Sequence, residues 1–189
     1  MARPGGPLQG SPVSSAVMRI WTVGHSTRTI AGLVEILSAV PIERVVDVRT
    51  VPRSRRNPQF DRDALAWELQ QAGIDYRHAK ELGGLRKPLP DSINQALHHE
   101  GLRGYADHMQ TATFYDGLQR LIAEAGSSAT AVLCAEASPW HCHRSLLADS
   151  LDARGMRVFH LHDGGRAERH RLSPLARVHD AAVTYPGLL

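Results

Sequence analysis

One α/β domain over residues 17–189, with a mostly parallel central sheet of about five strands flanked by helices, is the fold this sequence predicts. Three observations predict it. Short apolar runs rich in β-branched residues alternate with longer segments whose apolar side chains recur at helical spacing. The chain has 189 residues, 42% of them hydrophobic, which suits one substantial core rather than two. The unusual polar residues follow directly after the apolar runs, where an open parallel sheet places its ligand-binding loops.

Residues 1–16 are rich in Pro, Gly and Ser, and are expected to be a disordered extension. Residues 19–24 alternate and favour a first strand ending at Gly24. Thr29 is an N-cap for a helix over 30–40, with Ile30, Leu33, Val34 and Leu37 on one face and Pro41 closing it. Residues 44–48 read as a strand buried on both faces. Asp61 is positioned to cap a helix over 62–72, which Gly73 ends. Residues 74–79 make a third strand, and residues 88–103 carry no assignable pattern. Helices are expected at 105–109 and 113–125, with Gly126 stopping the second. Residues 131–135 form a fourth strand, 145–154 a helix, and 156–161 a fifth strand.

The formal net charge is only +3, but Arg dominates, since Lys stands only at Lys80 and Lys87. A planar guanidinium suits bidentate contact with phosphate or carboxylate. The N-terminus lacks a signal-peptide pattern and no apolar run is long enough to span a membrane. Two cysteines make no disulfide framework. A cytoplasmic protein with reduced thiols and no membrane partner is expected.

Five strand-exit loops carry the chemistry, and a parallel sheet brings them to one edge. Arg28, Arg49, Arg53, Arg55, Arg56, Arg86 and Arg144 are candidates to bind an anionic substrate, with Trp140 as a stacking surface. Asp47 is their natural internal salt-bridge partner. Glu136, Cys142, His143 and His25 are candidates for acid–base or nucleophilic work. Cys142 and His143 are also candidate ligands for zinc or iron, with His141, His25, His78, His160 or His162 able to complete a set. Cys134 lies within an apolar run and reads as a small buried hydrophobe. A sulfurtransferase or phosphatase loop, with Arg six positions after Cys, does not fit. Arg144 follows Cys134 by ten positions and Cys142 by two.

The pieces Thr22-Val-Gly-His-Ser-Thr-Arg, Val46-Asp-Val-Arg-Thr-Val-Pro-Arg-Ser-Arg-Arg-Asn-Pro-Gln-Phe, Glu81-Leu-Gly-Gly, Arg103-Gly-Tyr-Ala-Asp-His-Met and Cys134-Ala-Glu-Ala-Ser-Pro-Trp-His-Cys-His-Arg-Ser occur in that order. Ala176-Arg-Val and Tyr185-Pro-Gly close the series. In these pieces the chain resembles the bacterial and archaeal family described as domain of unknown function 488. That resemblance implies a compact α/β domain and leaves the reaction open.

The functional expectation is an enzyme that binds a small anionic or nucleotide-like substrate at the carboxyl edge of the sheet, working by acid–base chemistry or through a metal, with the cofactor left open between none, zinc and iron. Two alternatives stand beside it. One is a nucleic-acid-binding or base-handling module that stacks bases on Trp140, Tyr76 and Tyr105. The other is a metal-binding structural or regulatory domain.

Overall fold

A computed structural model describes residues 17–187, so the expected extension at 1–16 lies outside the described residues. The elements run β1 (Arg19–Gly24), α1 (Ile30–Ser38), β2 (Arg44–Asp47), α2 (Arg62–Gln71), β3 (Asp75–His78), α3 (Glu100–His108), α4 (Ala112–Ser127), β4 (Thr130–Cys134), α5 (Arg144–Asp152), β5 (Arg157–Leu161), β6 (Ala167–Arg169), β7 (Arg177–His179) and β8 (Ala182–Thr184). Sheet order is β3-β2-β4-β1-β5-β6. The first five strands are parallel, and β6 pairs antiparallel with β5. The expected α/β fold and mostly parallel sheet are therefore present.

β4 sits between β1 and β2 and is buried along its whole length, as its unbroken run Thr-Ala-Val-Leu-Cys requires. Alternation along each strand divides the core in two. Val45, Ala131 and Leu133 pack under α1 and α2 with Leu33, Leu37, Leu65 and Leu69. Val46, Val132 and Cys134 face the other side with Leu118, Leu121 and Leu147. Cys134 is thus aimed, by strand parity with Val132, at the face that α5 covers.

Ladder hydrogen bonds continue past the strand ends and fix the loops. The His25 and Ser26 amides donate to the Cys134 and Ala135 carbonyls, both at 2.9 Å. The Val48 amide donates to Leu133 and the Ala79 amide to Asp47, at 2.9 and 2.8 Å. Ser26 turns away in the left-handed region, at φ 49°. Such a turn is uncommon for a residue with a Cβ.

Several local expectations change. Thr29 does cap α1, accepting from the Gly32 amide at 3.1 Å. Asp61 does not cap α2; its carboxylate accepts from the Ser54 amide at 2.7 Å and folds the arginine loop back on itself. α3 begins at Glu100, where His99 Nδ1 caps the Leu102 amide. α4 runs through Gly126 to Ser127, because a helical glycine costs only about 1 kcal/mol and tertiary packing overrides it. β6 is polar and three residues long, and so carried no periodic signal. The β7–β8 hairpin turns through Asp180 and Ala181, both at positive φ, without the Asn-Gly or Asp-Gly that usually marks such a turn. No helix among the described residues is long and apolar enough to cross a membrane.

Candidate active site

A cleft of about 730 Å³ opens at the carboxyl edge of the sheet. That volume suits a small-molecule ligand. The loops after β1, β2 and β4 line it, together with Gly84 and Leu85 beyond β3 and the start of α3. The β5 exit loop does not line it. Four of the five expected loops therefore converge, and the fifth is replaced by residues 99–102. Sequence pattern gave no warning of that exchange, since 88–103 lacked periodicity.

Two thiols and an imidazole lie at the cleft wall. His143 Nδ1 is 3.7 Å from Cys142 Sγ and 3.9 Å from Cys134 Sγ, and all three atoms fall within 4.8 Å of one another. His143 Nε2 faces the Val48 carbonyl at 3.3 Å. With the proton on Nε2, the Nδ1 lone pair points to the sulfurs. Gly84 makes room for the ring, since a Cβ there would fall 2.2 Å from Nδ1. Cys134, read from sequence as a core residue, is indeed buried at 5% exposure, but its sulfur belongs to this cluster and it lines the cleft. That correction follows from its position at the end of β4. There the apolar run stops being packed on all sides.

Arg144 was expected to bind substrate, and it does not point into the cleft. It is 1% exposed and turned inward at the start of α5. Nε donates to Cys142 Sγ at 3.4 Å, Nη1 to Thr22 Oγ1 at 3.4 Å, and Nη2 to the Glu136 and Ala137 carbonyls. No carboxylate forms an ion pair with it among the described residues. A buried guanidinium needs compensating negative charge. The Cys142 sulfur is the nearby group able to carry it. The Cys142 pKa is depressed, first by the neighbouring Cys134 thiol and also by the charge of Arg144, against the opposing effect of burial. The Cys134 thiol is pushed up by the same hydrogen bond and by its burial. Gly24 completes the arrangement, because a Cβ there would overlap the Glu136 carbonyl that receives Arg144.

Arg49 and Asp47 make a buried pair on the neighbouring strand exit. Arg49 Nη2 and Nε reach the Asp47 carboxylate at 2.6 and 2.9 Å, and Tyr76 donates to it at 2.7 Å. His25 stacks on Phe60 with ring centres 4.2 Å apart. Its Nδ1 meets the Ser26 carbonyl at 2.9 Å and its Nε2 meets Arg49 Nη1 at 3.2 Å. Burial lowers its pKa to about 4, and the charges of Arg49 and Arg144 reinforce the shift. His25 is thus a neutral brace for Arg49, with both ring nitrogens engaged.

The seven expected arginines do not form one cluster. Arg49, Arg53 and Arg56 line the cleft. Arg53 and Arg56 are exposed and make no ion pair among the described residues. Arg28 is held by Asp163 at 2.7 Å, and Arg86 by the Gly83 carbonyl at 3.0 Å. Arg55 is exposed and outside the lining. Glu136 and His141 are exposed on the rim. Trp140 lies elsewhere, packed against His160 and His170 at 5.4 and 6.2 Å. Tyr105 is fully buried with its hydroxyl on the Leu82 carbonyl, so it cannot stack a base. Among the alternative metal ligands, His78 is bound to the Arg49 carbonyl and His162 to Glu168.

Behind Arg144 runs a buried string that sequence reading missed. Thr22 Oγ1 meets His160 Nδ1 at 2.8 Å, His160 Nε2 meets His170 Nδ1 at 3.0 Å, and His170 Nε2 meets Asp149 Oδ1 at 2.9 Å. Tyr185 donates to Asp149 Oδ2 at 2.7 Å. A consistent set of tautomers has each N–H or O–H from Arg144 onward donating toward Asp149. The available signal was Asp149 close in sequence to Leu146, Leu147, Ala148 and Leu151.

No curated protein and no solved structure matches this chain. The family model described as domain of unknown function DUF488 matches residues 29–151, more than half of the chain, and the protein belongs to that family.

Proposed function

We propose that this protein is an enzyme that binds a small anionic substrate in the carboxyl-edge cleft and acts on it at Cys142 and His143. One observation carries the reading: a thiol–imidazole cluster opens onto the same cleft as two exposed arginines with no ion-pair partner among the described residues. Arg53 and Arg56 receive the anion, beside the neutralised Arg49–Asp47 pair. Val51 and Leu85 add exposed apolar surface at the mouth, which suits a nucleotide-like substrate with one charged and one apolar end. Glu136 on the rim is the carboxylate placed to exchange protons with such a ligand. A metal, zinc or iron, fits the chemistry of the sulfur and imidazole donors. The burial of Tyr105 and the position of Trp140 outside the cleft lining count against a base-stacking nucleic-acid module in this cleft.

Calorimetric titration with inorganic phosphate and with AMP tests the binding half of this reading. An Arg53→Gln/Arg56→Gln double variant should bind about five- to thirtyfold more weakly, equivalent to losing roughly 1–2 kcal/mol of exposed charge contact. Unchanged affinity in the double variant, with the fold retained, would contradict the proposal.

A further inference from the structure

We infer that Cys134, Cys142 and His143 form a three-ligand zinc site whose fourth position faces the cleft and takes an anionic oxygen. The inference deepens the proposed function, and rests on it only for the nature of the fourth ligand. Zinc binds thiolate at ~2.3 Å and imidazole at ~2.0–2.1 Å, so tetrahedral ligands stand about 3.6–3.8 Å apart. The observed Nδ1–Sγ separations of 3.7 and 3.9 Å exceed the N–S edge by only about 0.1–0.4 Å. The two sulfurs lie within 4.8 Å of each other, so reaching the S–S edge of about 3.8 Å takes a side-chain movement of at most about 1 Å.

The outer shell is built as well. His143 Nε2 faces a backbone carbonyl, the arrangement that fixes a metal-binding tautomer. Arg144 Nε donates to Cys142 Sγ at 3.4 Å and orients that sulfur. Gly84 leaves space that any side chain would fill. These features come from three separate strand-exit segments, so the cluster is not an accident of one loop's spacing.

Structural zinc sites are closed by four protein ligands, whereas catalytic ones keep an open position. Among the described residues the donors come to three, and all three line the cleft. Charge selects the fourth ligand. Two thiolates neutralise the dication, and Arg144 leaves one positive charge beside it. Hydroxide, or a phosphate or carboxylate oxygen of the substrate, completes the balance. Arg53 and Arg56 lie on the same cleft and hold the remainder of such an anion. Thiolate ligation suits zinc better than magnesium or calcium, which prefer oxygen donors.

The test uses the full chain with any purification tag removed. Metal content is measured after expression with added zinc, and cobalt(II) is titrated into the metal-free protein. Close to one zinc per chain is expected, and cobalt should give sulfur-to-metal charge transfer with intense tetrahedral bands. Cys134→Ser, Cys142→Ser and His143→Gln should each weaken zinc at least tenfold, whereas His141→Gln should not. Thermal melts of the metal-free variants separate loss of ligation from loss of fold. Should Cys142→Ser fail to fold, Cys134→Ser and His143→Gln still decide the matter. Sub-stoichiometric zinc, octahedral cobalt spectra, or a Cys134–Cys142 disulfide in freshly prepared protein would overturn the inference. Phosphate titrations of the metal-free protein keep the two proposals distinct. Arginine-dependent binding there without zinc uptake would sink the metal site alone; zinc uptake without anion binding would sink the anionic fourth ligand.

Discussion

Gly84→Ala displaces the imidazole of the cluster without replacing any residue in it. The added methyl would stand 2.2 Å from His143 Nδ1, 2.5 Å from Cγ and 2.8 Å from Cε1, where about 3.4 Å is ordinary contact. The ring or the glycine loop must therefore shift by about 1 Å. Gly84 is not at positive φ, so alanine brings no backbone strain of its own. Retreat of the ring is limited by Tyr105, whose centre is 4.8 Å away. Metal–ligand distances tolerate only about 0.2 Å, so a shift of this size removes Nδ1 from the site. Zinc affinity should fall roughly 10- to 100-fold, the range seen when a ligand's supporting geometry is lost. Stability of the metal-free protein should fall by only about 1–3 kcal/mol, as for other overpacked sites. A competitive chelator titration gives the first quantity and a denaturant melt the second. Gly101→Ala is the control, since its methyl would approach only the exposed His99 ring, at 3.1 Å. Wild-type zinc affinity in Gly84→Ala, with the fold intact, would refute the placement of His143.

Three further outcomes follow from the buried network. Arg144→Met should destabilise the fold by about 2–4 kcal/mol, because it strands the Glu136 carbonyl and Thr22 hydroxyl; Arg144→Lys should not restore the loss, since a point charge cannot reach sulfur, hydroxyl and carbonyls together. Asp149→Asn should cost about 3 kcal/mol in denaturant unfolding, as His170, Tyr185 and the Ser173 amide all donate to that carboxylate. Acid should destabilise the protein through His25 and His160, whose folded pKa values are lowered to about 4 and about 3, chiefly by burial. The unfolded chain takes up protons as pH falls below about 6.5 while the folded chain does not. Stability is therefore intact above pH 6.5 and declines toward pH 4, by at most ~1.4 kcal/mol per pH unit for each histidine. Ring titrations followed by NMR that gave ordinary values for both would contradict this.

The strands and most helices were legible because burial of their apolar sides imposes period, and period survives in sequence. Val45 and Val46 occupy opposite faces as alternation demands, and β4 reads as central because every residue is apolar or small. What escaped lacked period: the polar β6, the Asp180–Ala181 turn, and an α3 capped by histidine. The cleft was legible as an edge but not as a set of partners. A loop arginine looks the same in sequence whether it faces solvent, as Arg53 does, or is consumed by backbone carbonyls, as Arg144 is. Cys134 is the buried core residue its apolar neighbourhood implies, but that neighbourhood says nothing of what faces the last residue of a strand, and its part in the cluster was not legible. Gly24 and Gly84 were the overlooked signs, because each marks a spot where a side chain would displace a site residue.

The most direct test of the account is a crystal structure of the zinc-loaded protein with phosphate, with anomalous data collected across the zinc edge. The account predicts one anomalous peak ~2.3 Å from Cys134 Sγ and Cys142 Sγ and ~2.0–2.1 Å from His143 Nδ1. Phosphate should occupy the fourth position and extend toward Arg53 and Arg56. A peak away from these three atoms, or phosphate bound outside the cleft with the thiols free, would contradict it.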